Sequence, residues 1–227
     1  MFHISLVDPR EQPEVVADFC LGQAVAYSDF GAERAATPIL EEEIDDGCVQ
    51  FLTTRDEDTG EIVGGLRLYM RREGYQLPVE RLLGAYPALL DEIKALSHRG
   101  VAEIGGTWVQ SSWRGQGLGV ELYRFAAAIM PLLNISRGLA FSHHRVIPAW
   151  KPLGWVVDAN IRGIDYPDAR YRSSVIWIDP LTLHHADAKQ YHLTMNLRAA
   201  LRQGLPIRWT PRGPQHDLPA TMAAVPR

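Results

Sequence analysis

An α/β (α+β) fold around one mixed sheet is what this sequence predicts, and three observations carry the prediction. Two β-patterned runs flank a polar turn across residues 48–70. An apolar, partly β-branched run at 101–109 passes through a glycine-rich turn into a helix-patterned run. Strand and helix patterns then alternate as far as residue 178. Such alternation is what a sheet covered by helices produces.

The elements follow in order. Residues 9–29 read as a helix, because Val15, Val16, Phe19, Leu21, Ala24, Val25 and Tyr27 form a broad apolar face. Residues 31–47 read as loop or weak helix, and the acidic run at 41–46 as a solvated face. Residues 48–54 and 62–70 are strands joined by the turn Asp56-Glu57-Asp58-Thr59-Gly60, which makes a hairpin. Residues 78–84 and 86–97 look helical. The strand at 101–109 is followed by a helix over roughly 116–130, stopped by Pro131. Residues 138–142 form a short buried strand, 145–151 a short helix or turn, and Trp155-Val156-Val157 the start of another strand. A late strand at 173–178 and a closing helix at 183–203 complete the expected single domain over 1–203. From Gly204 to Arg227 the chain is rich in Pro and Arg without periodicity, which predicts a loosely ordered tail.

Composition excludes several function classes. With 46% hydrophobic and 22% charged residues, the 227-residue chain has ordinary globular proportions and enough length for a real core. A net charge of −4 gives no bulk attraction to nucleic acid. Cys20 and Cys48 fit neither zinc spacing nor a disulfide framework, so the expected setting is reduced and cytoplasmic. The first residues lack the basic and apolar regions of a secretory signal, and no run is long enough to span a membrane. His184, His185 and His192 keep no ligand spacing with a carboxylate, so no metal is expected.

Chemistry is most legible at Trp113-Arg114-Gly115-Gln116-Gly117-Leu118-Gly119. A strand that hands a glycine-rich turn to a helix builds an anion site. The N–H groups of the first helical turn lack intrahelical partners, and the helix dipole favours negative charge there. Glycine lets the backbone approach a phosphate closely, and Arg114 adds positive charge. A plain nucleotide-binding domain does not fit, for want of a Walker lysine and a second βαβ unit.

The hairpin, the strand and Arg114-Gly115-Gln116-Gly117-Leu118-Gly119 opening a helix together resemble the GNAT superfamily of N-acyltransferases. Ala149-Trp150-Lys151-Pro152-Leu153-Gly154-Trp155 is similar to that family's segment leading into its next-to-last strand. The resemblance spans roughly residues 10–180. It implies a mixed, mostly antiparallel central sheet flanked by helices, with 101–109 and 138–142 splayed into a cleft. It further implies that an acyl donor's pantetheine arm lies in that cleft, with its pyrophosphate on the amides around Gln116, Gly117, Leu118 and Gly119. The backbone N–H near Val109 would then polarise the thioester carbonyl. Gly65-Leu66-Arg67-Leu68, the helical stretch at 78–97 and Ala102-Glu103-Ile104 look like the branch of acyl-homoserine-lactone synthases and long-chain N-acyl amino acid synthases. Gly105 and Gly106 stand where the lactone synthases carry an arginine.

Direct aminolysis of a thioester needs a base, an oxyanion site and a way to stabilise the leaving thiolate. Glu103 is the candidate base, since a carboxylate facing an apolar cleft has its pKa raised; the other reading pairs it with Arg67 across the sheet. The family usually offers a tyrosine where this chain has Trp150, so Ser142 and His143 (with His144 beside them) become candidates for the leaving-group acid, against a purely structural role. Gly105 and Gly106 are read as leaving room beside Glu103, and Trp108, Trp113, Trp155 and Trp177 as either core or acyl-pocket lining. The expected function is an N-acyltransferase moving an acyl group from acyl-CoA or acyl carrier protein to the amine of a small molecule, an amino acid among the choices. No cofactor is expected to be tightly bound, and a homodimer is left open. The alternative is a non-catalytic acyl-CoA-binding or sensing module.

Overall fold

The computed structural model describes residues 1–36, 38–211 and 213–215. Its strands are β1 (Phe2–Val7), β2 (Val49–Asp56), β3 (Ile62–Met70), β4 (Val101–Val109), β5 (Arg137–His143), β6 (Val156–Val157), β7 (Ile164–Asp165), β8 (Arg172–Ile178), β9 (Ile207–Thr210) and β10 (Gly213–Gln215). Its helices are α1 (Pro13–Ser28), α2 (Glu41–Asp45), α3 (Pro78–Leu82), α4 (Pro87–Leu96), α5 (Leu118–Ile129), α6 (Ile147–Trp150) and α7 (Ala188–Arg202). One sheet runs in the order β10-β9-β1-β2-β3-β4-β5-β8-β6, with β7 also on β8. Every recorded pairing is antiparallel except β4 with β5. This is the one mixed sheet that the alternation predicts, mostly antiparallel as the resemblance implies.

The two faces of the sheet bury separate cores. One packs α5, α6 and α7 over Leu52, Leu66, Ile104 and Ala140. The other packs α1, α3 and α4 over Phe51, Val101 and Leu139. Helix α5 is the most buried, because only its N-terminal turn and one edge escape cover. Its small residues Ala126, Ala127 and Ala128 let α7 approach closely. Arg198 of α7 donates to the carbonyls of Ala127 and Ala128 at 3.2 and 3.3 Å.

Several expectations need correction. Phe2–Val7 is a strand, with Phe2, Ile4 and Val7 buried, and α1 starts only at Pro13. A proline at the first helical position fits there because its missing N–H would have no helical partner. The expected loose tail is a pair of strands where it is described. Ile207–Thr210 pairs with β1 and with Gly213–Gln215, and Ile207 and Trp209 are core residues. Alternation over four residues is too short to read from sequence without the β1 edge that receives it. The rest of that expectation, 216–227, lies outside the described residues. Helix α7 begins at Ala188 rather than 183, after a turn. Within the acidic run, Glu43 is fully buried rather than solvated. It accepts hydrogen bonds from Tyr75 Oη at 3.0 Å and from Arg81 at 2.7 Å.

Candidate active site

The parallel ladder between β4 and β5 covers only Val101–Ile104 with Arg137–Ala140. Beyond it β4 stays on β3 as far as Val109, whereas β5 stays on β8 as far as His143. The two strands thus part after Ile104 and Ala140, leaving a V-shaped opening in mid-sheet.

A bulge begins the parting. Arg67 pairs with Gly105 and Gly65 with Trp108, so β4 carries one extra residue there. Gly106 takes it up at φ +60, a conformation that disfavours side chains. A Cβ at Gly106 would stand 2.7 Å from Gln23 Nε2, and one at Gly105 would stand 3.2 Å from the Tyr69 ring. The space beside Glu103 is therefore filled by Tyr69, Gln23 and Arg67 rather than left open. Past the bulge, Gln110 N–H donates to Val63 C=O at 2.8 Å. Ladder alternation then turns the N–H and C=O of Val109 away from β3, toward the opening.

At the mouth of the opening, Gly117 caps α5 in the left-handed conformation at φ +96, and Gly115 lies at φ +75. No side chain caps the first turn of α5, and Gly115, Gln116 and Gly117 are exposed. Gly119 lies against Trp150, whose ring edge is 3.5 Å from where a Cβ would sit, and Leu118 points into the core. Backbone N–H groups are thus presented to solvent at a helix N-terminus. Arg114 is differently employed from the expectation. It ties the loop to α1 and β4, through Val109 C=O at 3.0 Å, Ala26 C=O at 3.1 Å, Asp29 at 2.9 Å and the Phe30 ring. With Asp29 neutralising it, the backbone rather than this guanidinium supplies the local attraction for an anion.

Glu103 lies on the α1–α4 face of β4 and is 5% exposed. Its carboxylate accepts from Val79 N–H of α3 at 2.8 Å. Burial pushes its pKa up to about 8, against the opposing pull of that hydrogen bond and of Arg81. Arg67, on the same face, donates to Tyr69 Oη at 3.1 Å and to Gln23 Oε1.

The opposite face carries what sequence reasoning missed. Tyr123 of α5 is 4% exposed, and its hydroxyl stands 3.5 Å from Ser142 Oγ of β5. Thr107 of β4 is also near enough to act on the phenol, so the hydroxyl lies between the two parted strands. Its ring stacks on Trp150 at 3.8 Å and 5°, and meets Trp155 edge-on at 5.5 Å. An open concavity of about 370 Å³ reaches Trp155 from the β6 side, lined also by Lys151, Val156, Val157 and His185. The only sequence signal for Tyr123 was its position four residues after Gly119, which reads equally as core. Ser142 is brought into this cluster, but His143 is on the other face, against His144 and Tyr171, with its pKa lowered by burial. Of the tryptophans weighed as pocket lining, Trp108 packs on Phe19, Trp113 on Phe2, and Trp177 bonds Asp158, while Trp155 meets the Tyr123 ring. Among the described residues no cluster of three metal-ligating side chains exists, and no helix is long and apolar enough to cross a membrane.

Known proteins resemble this chain in sequence and in fold. The model of the acetyltransferase (GNAT) family matches residues 21–155. An uncharacterized protein of Mycobacterium tuberculosis is 30% identical over 189 residues, 80% of this chain and 71% of that protein, and its Mycobacterium bovis counterpart gives the same figures. Among solved structures, FeeM, an N-acyl amino acid synthase from uncultured soil microbes, superposes with a TM-score of 0.60 at 10% identity, covering 85% of this chain and 98% of that one. The acyl-homoserine lactone synthase LasI gives 0.59 at 13%, over 79% and 90%. The CoA-dependent acyl-homoserine lactone synthase BjaI gives 0.58 at 16%, over 96% of each chain. At these identities the likeness is one of fold.

Proposed function

The chain belongs to the acetyltransferase (GNAT) family, and on that premise we propose that it transfers an acyl group from a coenzyme A thioester directly to the amine of a small acceptor. The observation that carries the reading is the opening between β4 and β5, with a carboxylate on one face and a helix N-terminus at its mouth. The donor's diphosphate sits on the amides of residues 115–119, where α5 presents free N–H groups. Its thioester reaches into the opening, where the N–H of Val109 donates to the carbonyl oxygen. That contact strengthens as the oxygen becomes an oxyanion.

Glu103 acts as the base. A carboxyl group with a pKa of about 8 becomes, as it ionises above neutral pH, a base strong enough to take a proton from an ammonium or amine. Because α3 covers it, the proton passes through one intervening water. Attack by the amine, collapse of the tetrahedral adduct and loss of the thiolate follow within one ternary complex. Cys20 and Cys48 are free, and neither is on β4, β5 or the glycine loop, which supports transfer without an acyl-enzyme. The buried cation Arg67 shares the Glu103 face and suits the carboxylate of an amino acid acceptor. FeeM, by its description an N-acyl amino acid synthase, shares the fold of this chain.

A free-thiol release assay tests the reading. It pairs acetyl- and long-chain acyl-CoA with a panel of amino acids and polyamines. Thiol release that depends on one amine, and falls roughly 100- to 10,000-fold in Glu103→Gln, is the expected result. Unchanged turnover in a folded Glu103→Gln protein removes Glu103 from the mechanism. Tight coenzyme A binding without release under any pairing points to the sensing module.

A further inference from the structure

We infer that Tyr123 is a catalytic residue of this transfer, its phenolic O–H donating a hydrogen bond to the thioester sulfur as the C–S bond breaks. The inference rests on the reading above and assigns the one requirement that it leaves unmet.

The sheet itself separates the roles. Glu103 lies on the α1–α4 face, so the amine is deprotonated there. The glycine loop opens α5 on the other face, so the thiol arm of the donor approaches from that side. A group that meets the departing sulfur must be on the α5 face and must reach into the opening. Tyr123 meets both conditions, since its hydroxyl lies between Thr107 of β4 and Ser142 of β5. Trp150 stands where a tyrosine was expected, and it is stacked flat on the Tyr123 ring. The stacked indole fixes the plane of the phenol ring.

The hydroxyl is also poorly satisfied. A contact of 3.5 Å to Ser142 is long beside the ~2.7–2.8 Å usual between hydroxyls. Thr107 Oγ1 makes no well-formed hydrogen bond, and the buried Trp150 and Trp155 Nε1 atoms have no partner. Such groups are costly to bury unless something else completes them. Two under-used hydroxyls, those of Tyr123 and Thr107, stand where β4 parts from β5, on the face from which the donor arrives, and a polar arm with its sulfur can complete them there.

The step balances as follows. The acceptor nitrogen gives its proton to Glu103 and forms the C–N bond. The oxyanion collapses, the C–S electron pair goes to sulfur, and the thiolate is held by the Tyr123 O–H. Tyr123 keeps its proton, because burial raises its pKa above that of an ordinary phenol, whereas a thiol titrates near ~8.5. The thiolate takes a proton from water on release and Glu103 returns its own, so thioester and amine become amide and thiol.

Tyr123→Phe, checked for an unchanged melting temperature, tests this by its dependence on the leaving group. With acyl-CoA, kcat/KM should fall roughly 10- to 100-fold. Across acyl thioesters of ring-substituted thiophenols the deficit should shrink as the thiol becomes more acidic. An equal deficit across that series, or no deficit, overturns the inference and leaves the transferase reading standing. A second measurement needs no turnover: the thiol pKa of bound coenzyme A, followed by thiolate absorbance, should be lower in the wild type than in Tyr123→Phe, and equal values overturn the inference. Failure to bind coenzyme A at all defeats the transferase reading, and this inference with it.

Discussion

The two faces of β4 are built from different kinds of sequence. On the α5 face the proposed anion site comes from six consecutive residues, Arg114–Gly119, and rests on backbone N–H groups at an uncapped helix start. The α1–α4 face gathers polar side chains from α1, α2, β3, α3 and β4: the amide of Gln23 and the ionisable Glu43, Arg67, Glu80 and Glu103, all buried. A helix N-terminus needs only glycine and solvent access to hold an anion. Buried charges instead need one another, which makes that face chemically rich and energetically exposed to single changes.

The contrast is sharpest at Glu103. Its carboxyl is raised from an ordinary 4.5 to about 8, so the folded protein holds a proton that the unfolded chain has lost between those values. Stability therefore falls as pH rises across that window, by on the order of a few kcal/mol, and is highest at or below its lower edge. Glu103→Gln, which keeps an acceptor for Val79 N–H, should flatten that slope in denaturant titrations at pH 5 and 8. Turnover should move the opposite way in the wild type, rising through about pH 8 as the base ionises. An amine that titrates in the same range leaves a limb in both proteins, so the diagnostic is the limb that Glu103→Gln loses. A slope and a limb that both survive the substitution would break the comparison at its centre.

Glu43 tests whether the rest of that face is structural. It holds Tyr75 Oη, Arg81 and the N–H of Leu40. Glu43→Ala should destabilise by about 2–3 kcal/mol, discounted because Arg81 is one-third exposed. Temperature melts should show that loss with the acceptor KM little changed. A changed acceptor KM at unaltered stability would instead put Glu43 in the acceptor site.

How legible each face was follows from the same difference. The glycine loop, the strand before it and the helix after it were read from contiguous residues, because turn chemistry and helical spacing are local. Glu103 stands out in the sequence because it is the acidic residue on that strand. Tyr123 was missed because a phenol on an apolar helical face signals core. Only the folded sheet, with β4 parting from β5, sets its hydroxyl beside Ser142 and Thr107. Glu43 was misread because an acidic run looks solvated until Tyr75 and Arg81 are folded onto it from more than thirty positions away. Arg114 reads as positive charge added to the loop from its position beside the glycines, whereas its partners Ala26 and Asp29 belong to the first helix and its end.

On the α5 face the prediction is smaller, since a backbone site offers no single side chain to remove. Gly117 is its most constrained point, at φ +96 in the turn that starts the helix. Gly117→Ala places a Cβ in a conformation costing about 1–2 kcal/mol. Nothing crowds that Cβ, so the strain is conformational alone. Calorimetry should find coenzyme A bound roughly tenfold more weakly, as the turn relaxes and its amides lose their convergence. The pH limb set by Glu103 should be unmoved. A shifted limb would mean that the two faces are coupled, and that the sheet does not divide the work between them.

The smallest effect separates two neighbours on one strand. Ser142 and His143 are adjacent in β5, so their side chains leave opposite faces. Ser142 lies beside Tyr123, whereas His143 lies among His144, Tyr171 and Arg145, and burial, with Arg145 nearby, lowers its pKa. A histidine already neutral at pH 7, on the face away from the departing sulfur, has neither the proton nor the position to act as leaving-group acid. His143→Gln should leave kcat/KM for acyl-CoA within about twofold of the wild type and the pH profile between 6 and 9 unchanged. Loss of an alkaline limb in that variant would return the acid to His143, and would mean that the thiolate leaves through the face on which the amine arrives.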